Sequence, residues 1–189
     1  MRVVAALPLI GFCALVIVSG ATAEEPNDRA MAVRTSLKSV EERAPVLKVF
    51  DTGEAPKELA AFRPRNLVLV FFLGAECSHC TQKLRELLKD ARELGDGKVE
   101  ILAISSWRVP NPAAVMEMLG VTKSDRFHLL VDDTHRSFRD YGCFNSKPMH
   151  GLFVIDADGV IRARYSGETP YADTREAAKL ARQLMFVQP

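Results

Sequence analysis

The chain has 189 residues, 48% of them hydrophobic and 26% charged, with a formal net charge of +1. That length and apolar content suit one domain with a full core. No basic patch or long charge run is present, which argues against nucleic-acid binding.

Residues 1–23 read as a secretory signal. Arg2 precedes an apolar run from Val3 to Val18, and Ala21 and Ala23 fit the small-residue cleavage pattern. The alternative is an uncleaved N-terminal membrane anchor. Pro8 and Gly11 interrupt the run, which favours cleavage and no stable membrane insertion afterwards. Cleavage would remove Arg2 and Cys13, leaving 24 basic against 24 acidic side chains and three cysteines, Cys77, Cys80 and Cys143. The expected location is the bacterial periplasm or another extracytoplasmic compartment, where an odd third thiol beside a CxxC stands out. Residues 24–44 are polar, with Met31, Val33, Leu37 and Val40 weakly spaced on one helical side. A marginal helix or flexible lead-in is expected there, with the main domain over 45–189. Val46 to Phe50 reads as a short strand, Asp51-Thr52-Gly53 as a turn, and Pro56 to Phe62 as a short helix or extended connection.

Leu67 to Leu73 is an unbroken apolar run rich in β-formers and too short to span a membrane. It is expected as a central strand buried on both faces. Gly74-Ala75-Glu76 turns the chain into Cys77-Ser78-His79-Cys80, after which Leu84, Leu87, Leu88, Ala91 and Leu94 recur at helical spacing. Cys77 is therefore expected at the carboxyl end of a buried strand and at a helix N-terminus. The free N–H groups and dipole of a helix start stabilise a thiolate, the form that attacks disulfides and peroxides. Cys80 follows one turn later, within reach of Cys77 for a small disulfide. His79 could tune the thiolate pKa by a hydrogen bond or positive charge and make the disulfide more oxidising, while Glu76 works against it. A structural zinc half-site would need a second ligand pair at zinc spacing, which the sequence lacks. No cofactor is expected for dithiol chemistry.

Gly95-Asp96-Gly97 should end the helix. Lys98 to Ser105 reads as a second buried strand, parallel to the first across a βαβ connection. Ser106 to Pro110 is a loop at the same sheet edge as Cys77, with Trp107 either a wall of the active-site rim or a packing aromatic. Asn111 can cap a helix with Pro112 at its first position and Gly120 at its end. Phe127 to Val131 is a third strand with His128 at its edge. Asp132-Asp133 should cap a helix that carries a solvated His135 together with Phe138 and Tyr141. Leu152 to Ile155 and Val160 to Tyr165 form a hairpin across Asp156-Ala157-Asp158-Gly159. Asp173-Thr174-Arg175-Glu176 looks like a capping box opening a last helix with Ala177, Leu180, Ala181 and Leu184 on one face. The fold class expected is α/β, a central mixed sheet flanked by helices.

The order strand, CxxC helix, strand, helix, hairpin, helix resembles the thioredoxin fold. More narrowly, Phe127-His128-Leu129-Leu130-Val131-Asp132, Tyr141-Gly142 and the stretch from Gly151 to Arg162 resemble the redoxin family over roughly Pro45 to Phe186. That family is the alkyl hydroperoxide reductase and thiol-specific antioxidant group, the peroxiredoxins. The resemblance implies a thiol-based oxidoreductase acting on hydroperoxides or on protein thiols and disulfides, served by a reducing partner protein. It also implies a Thr or Ser three residues before the attacking cysteine and an Arg just before the Gly-x-Phe strand. Gly74 and His150 occupy those places here. The CxxC is shared with thioredoxin-like exchange proteins, and Cys-x-His-Cys with oxidising, disulfide-forming ones. Pro148 stands nearest to the cis-proline that those proteins carry. His150 is read as a stand-in for the arginine, as a soft-metal ligand, or as a polar strand-end residue. Copper-delivery proteins of the Sco type share the fold and use two cysteines and a histidine. A copper-binding or delivery module on Cys77, Cys80 and His150 is therefore the alternative function. Cys143 is either a resolving or backup thiol or a small core residue.

Overall fold

The computed structural model describes residues 37–62, 65–95 and 99–186. Residues 1–23, expected to be a signal or anchor, most of the lead-in, and residues 96 and 97 of the expected glycine stop lie outside the described residues. The strands, in chain order, begin with Lys38–Arg43 (β1), Val49–Asp51 (β2), Pro56–Lys57 (β3) and Leu67–Phe72 (β4). Glu100–Ser105 (β5), Phe127–Val131 (β6), Phe144–Asn145 (β7) and Lys147–Pro148 (β8) follow, then His150–Ile155 (β9) and Val160–Gly167 (β10). The α-helices are Ser78–Gly95 (α1), Pro112–Leu119 (α2), Arg136–Asp140 (α3) and Thr174–Gln183 (α4).

Every residue of β4 is buried. Val68, Val70 and Phe72 join the core built with Leu84, Leu87 and Leu88 of α1 and Ala177, Ala178 and Ala181 of α4. Leu67, Leu69 and Phe71 join the opposite core with Phe138 and Tyr141. A strand covered on both sides has no solvent face, which is why its sequence shows no polar alternation. The eight-stranded sheet runs β1-β10-β9-β4-β5-β6-β2-β3. β4, β5 and β6 are parallel and β9 lies antiparallel against β4. Strand β4 therefore delivers the CxxC to the end of the sheet at which β9 begins.

Several local expectations hold. The Asn111 side chain accepts the Ala114 N–H at 3.0 Å, Pro112 opens α2, and the Gly120 amide donates to Glu117 O at 2.8 Å. Asp156 closes the β9–β10 hairpin by accepting the amides of Asp158 and Val160. Pro56 to Phe62 contains both a short extended piece, β3, and a 3-10 turn over Leu59–Phe62.

Others are corrected. Residues 38–43 of the lead-in are neither helical nor loose; they form the edge strand β1 against β10. Its side chains are almost all exposed, so no apolar alternation announced it; the backbone ladder and the cross-strand pairs Glu41–Arg162 and Glu42–Arg164 hold it. The capping box before α4 does not form. Asp173 instead accepts the Leu37 amide at 2.7 Å, and the Thr174 hydroxyl donates to Asp90 of α1. Of the Asp132-Asp133 pair only Asp132 caps α3, taking the amides of Arg136, Ser137 and Phe138, while Asp133 pairs with Arg108. His135 is not a solvated helix residue. It sits half-buried at the N-cap of α3 with φ 55°, held by a 2.9 Å contact from Nε2 to Ser106 O. His128 does stand on the outer part of its strand, where its Nε2 lies 2.6 Å from the buried carboxylate of Glu100.

Candidate active site

Cys77 is the last residue before α1. Its amide donates to Gly74 O at 3.2 Å, and its carbonyl accepts the Thr81 N–H at 3.1 Å, so the helix begins immediately behind the sulfur. The Cys80 amide donates to Cys77 Sγ at 3.3 Å. A backbone N–H pointed at sulfur favours its anionic form. Cys77 and Cys80 are disulfide-bonded, with Cα atoms 5.2 Å apart. The two sulfurs differ in access, Cys77 being half-buried and Cys80 completely buried.

The third member of the group comes from β9. His150 is 3% exposed, and its Nε2 lies 3.3 Å from Cys80 Sγ. Its other nitrogen, Nδ1, lies 2.9 Å from Glu168 O. A carbonyl only accepts, so Nδ1 carries the proton and Nε2 turns a lone pair toward sulfur. Burial holds His150 below the ordinary imidazole pKa range, against the pull of the Glu168 and Gly167 carbonyls; the nearby charge of His79 adds to the lowering. His79 itself is exposed in the first turn of α1. The donor atoms of Cys77, Cys80 and His150 all lie within 4.8 Å of one another. While the sulfurs are bonded to each other, neither offers a thiolate to a soft cation.

Cys77 opens onto a groove of about 740 Å³ whose walls include Trp107, Val109, Pro110, Val115 and Met118. Trp107 is 62% exposed, so it lines this rim and is not a core aromatic. His135 sits edge-on to the indole with ring centroids 5.7 Å apart. Arg108 anchors the same loop through ion pairs to Glu54 and Asp133. Arg108 and Met118 line the rim and His135 packs against Trp107; spacing in the sequence carried no signal for any of these roles. A second hollow of about 480 Å³, beyond Arg108, is lined by Phe50, Glu54 and Asp133 and has no cysteine or histidine in its wall.

Gly74 has φ 122°, a region that L side chains rarely adopt. The backbone, more than space, therefore keeps a hydroxyl-bearing residue from this position, since a Cβ would meet Ser105 Oγ and Trp107 Cδ1 only at 3.8 Å. Pro148 is half-buried in the short β7–β8 ladder, two residues ahead of His150. Cys143 is a buried free thiol whose pKa is pushed up by burial. It packs where a Cβ on Gly151 would otherwise sit, and its Sγ donates to Tyr141 O at 3.8 Å. Those contacts are the ones expected of a packing residue.

A thioredoxin-like sheet carrying two bonded cysteines at a helix N-terminus defines the class, a thiol-based oxidoreductase. Comparison with known proteins narrows it. The family model described as AhpC/TSA matches residues 40–164. The chain belongs to the AhpC/TSA family, and it is an oxidoreductase enzyme. A Mycobacterium tuberculosis protein named as a peroxiredoxin is 24% identical over 153 residues, 76% of this chain and 92% of its own. The crystal structure of the peroxidoxin BcpB from the same species superposes with a TM-score of 0.62 at 20% identity, covering 80% of this chain and 99% of that one. The thioredoxin domain of a thiol-disulfide oxidoreductase from Bacteroides vulgatus gives 0.55 at 20% identity, over 81% and 100%.

Proposed function

We propose that the protein is an exported thiol–disulfide exchange enzyme that acts on protein thiols or disulfides and is recycled by a partner protein. Cys77 is the attacking thiolate and Cys80 resolves the mixed disulfide. The carrying observation is the Cys77–Cys80 disulfide, with one sulfur half-accessible at a helix N-terminus and the other buried behind it. An amide already donates to the outer sulfur. Peroxide reduction would use the same two sulfurs through a Cys77 sulfenic acid. Exchange is favoured because the residues that the family resemblance assigns to holding a peroxide, a hydroxyl and an arginine, are Gly74 and His150 here. Export rests on the apolar run and small-residue exit over residues 3–23; among the described residues, no helix is long and apolar enough to cross a membrane.

The test follows three readouts in parallel on the reduced mature protein: exchange with a model disulfide, peroxide consumption, and bound copper. Exchange should dominate, vanish in Cys77→Ser, and leave trapped mixed disulfides in Cys80→Ser. Retained turnover in Cys77→Ser, or stoichiometric copper without thiol turnover, overturns the reading.

A further inference from the structure

We propose that His150 is the proton acceptor and donor for Cys80 in the resolving step. This rests on the exchange reading and assigns to that site a third catalytic residue. A resolving thiol must lose its proton before it attacks, and Cys80 has no exposure through which water could take it. The group placed against its sulfur is the imidazole Nε2, at 3.3 Å. The Glu168 carbonyl fixes the tautomer by accepting from Nδ1, so the nitrogen facing sulfur is the one without a proton. The same burial that hides Cys80 also disfavours the imidazolium, keeping His150 neutral and ready to accept.

The step balances as follows. Cys77 is joined to the substrate sulfur in a mixed disulfide, and Cys80 carries a thiol proton. His150 Nε2 takes that proton as Cys80 Sγ attacks Cys77 Sγ. The new S–S bond forms, the bond to the substrate sulfur breaks, and its electron pair leaves on that sulfur. The imidazolium returns the proton to the departing thiolate. The net result is a reduced substrate thiol and the Cys77–Cys80 disulfide. Run backwards, the residue protonates Cys80 as an incoming thiolate opens the disulfide at Cys77.

The charged and titratable groups near the ring are His79 on α1, the Cys77 and Cys80 sulfurs, and the Lys147–Glu168 ion pair at the surface beyond the carbonyl. His79 disfavours the charged ring, so replacing it should move the His150 inflection upward without abolishing it.

The experiment uses the reduced full-length protein with oxidised glutathione as the probe, quenched and resolved by mass spectrometry into first attack and resolution. In His150→Gln, which keeps a side chain able to bond the Glu168 carbonyl, the resolving step should fall by roughly 10²- to 10⁴-fold. The first attack should fall far less, so the Cys77–glutathione adduct accumulates. The wild-type resolving rate should rise with pH through an inflection below the ordinary imidazole range, and that inflection should disappear in the variant. Adducts preformed with thionitrobenzoate, a thiol that leaves without needing a proton, separate the two roles: loss of the base slows them as well. A resolving rate and pH profile unchanged in folded His150→Gln overturns the proposal. If the wild-type protein consumes peroxide and turns over no protein disulfide, while its glutathione adduct still resolves in a His150-dependent way, the exchange reading fails while this one stands.

Discussion

At the scale of single residues, the site is shaped as much by what Gly74 lacks as by what Cys77 carries. With φ 122° and no Cβ contact closer than 3.8 Å, Gly74→Thr would be admitted by space but opposed by the backbone. It should destabilise the protein by about 1–3 kcal/mol and raise peroxide turnover little, as denaturant unfolding and a peroxide assay would show. Tyr171 offers the opposite case. Its ring is completely buried and its hydroxyl has no hydrogen-bond partner among the described residues. A buried unsatisfied hydroxyl costs on the order of 1–3 kcal/mol, so Tyr171→Phe should leave stability unchanged or raise it. A fall of more than about 1 kcal/mol in unfolding free energy would show that the hydroxyl is satisfied in solution.

At the scale of elements, two helix starts near the site are capped in different ways and should respond differently. Asn111 supplies one oxygen to one amide of α2 from an exposed position. Asn111→Ala should cost about 1 kcal/mol. Asp132 is 1% exposed and its carboxylate accepts three α3 amides together with the Thr134 hydroxyl. Asp132→Ala strands those amides and should cost roughly 2–3 kcal/mol or more. Because α3 carries His135 at its N-cap and His135 steadies Trp107, this change should also red-shift or broaden the fluorescence of the single tryptophan. Equal losses for the two variants would contradict the assignment of the caps.

At the scale of the whole molecule, one ion pair ties α1 to the loop that enters β6. Arg92 donates Nε and Nη2 to the two carboxylate oxygens of Asp125 at 2.9 and 2.6 Å, and the Thr122 amide adds a third bond. The Arg92 hydrogen bonds are the main cause holding the Asp125 pKa at about 2, below its ordinary 3.8. A depressed carboxylate stabilises the fold above its unfolded pKa, and that contribution is lost as pH falls through the folded value. Arg92 is 41% exposed, so after solvent screening the contribution is on the order of 1 kcal/mol. Stability should therefore decline between about pH 4 and pH 2, and Asp125→Asn should flatten that decline. An unchanged slope in urea midpoints across that range would rule out the linkage.

Local chemistry alone was enough to determine the centre of this protein. The apolar run Leu67–Phe72, the turn, and the cysteine pair opening a helix are contiguous, and their periodicities follow from which faces are buried. The cap at Asn111 and the turn after Ile155 were legible for the same reason. The tertiary structure decided what those cysteines face. His150 meets Cys80 across 70 residues because β9 pairs with β4 in the register Gly151 to Phe71, and its tautomer is set by a carbonyl a further 18 residues on. The edge strand β1 and the His135 support of Trp107 were likewise hidden. They depend on backbone pairing and ring packing between distant segments, and neither leaves a repeat in the chain that forms them.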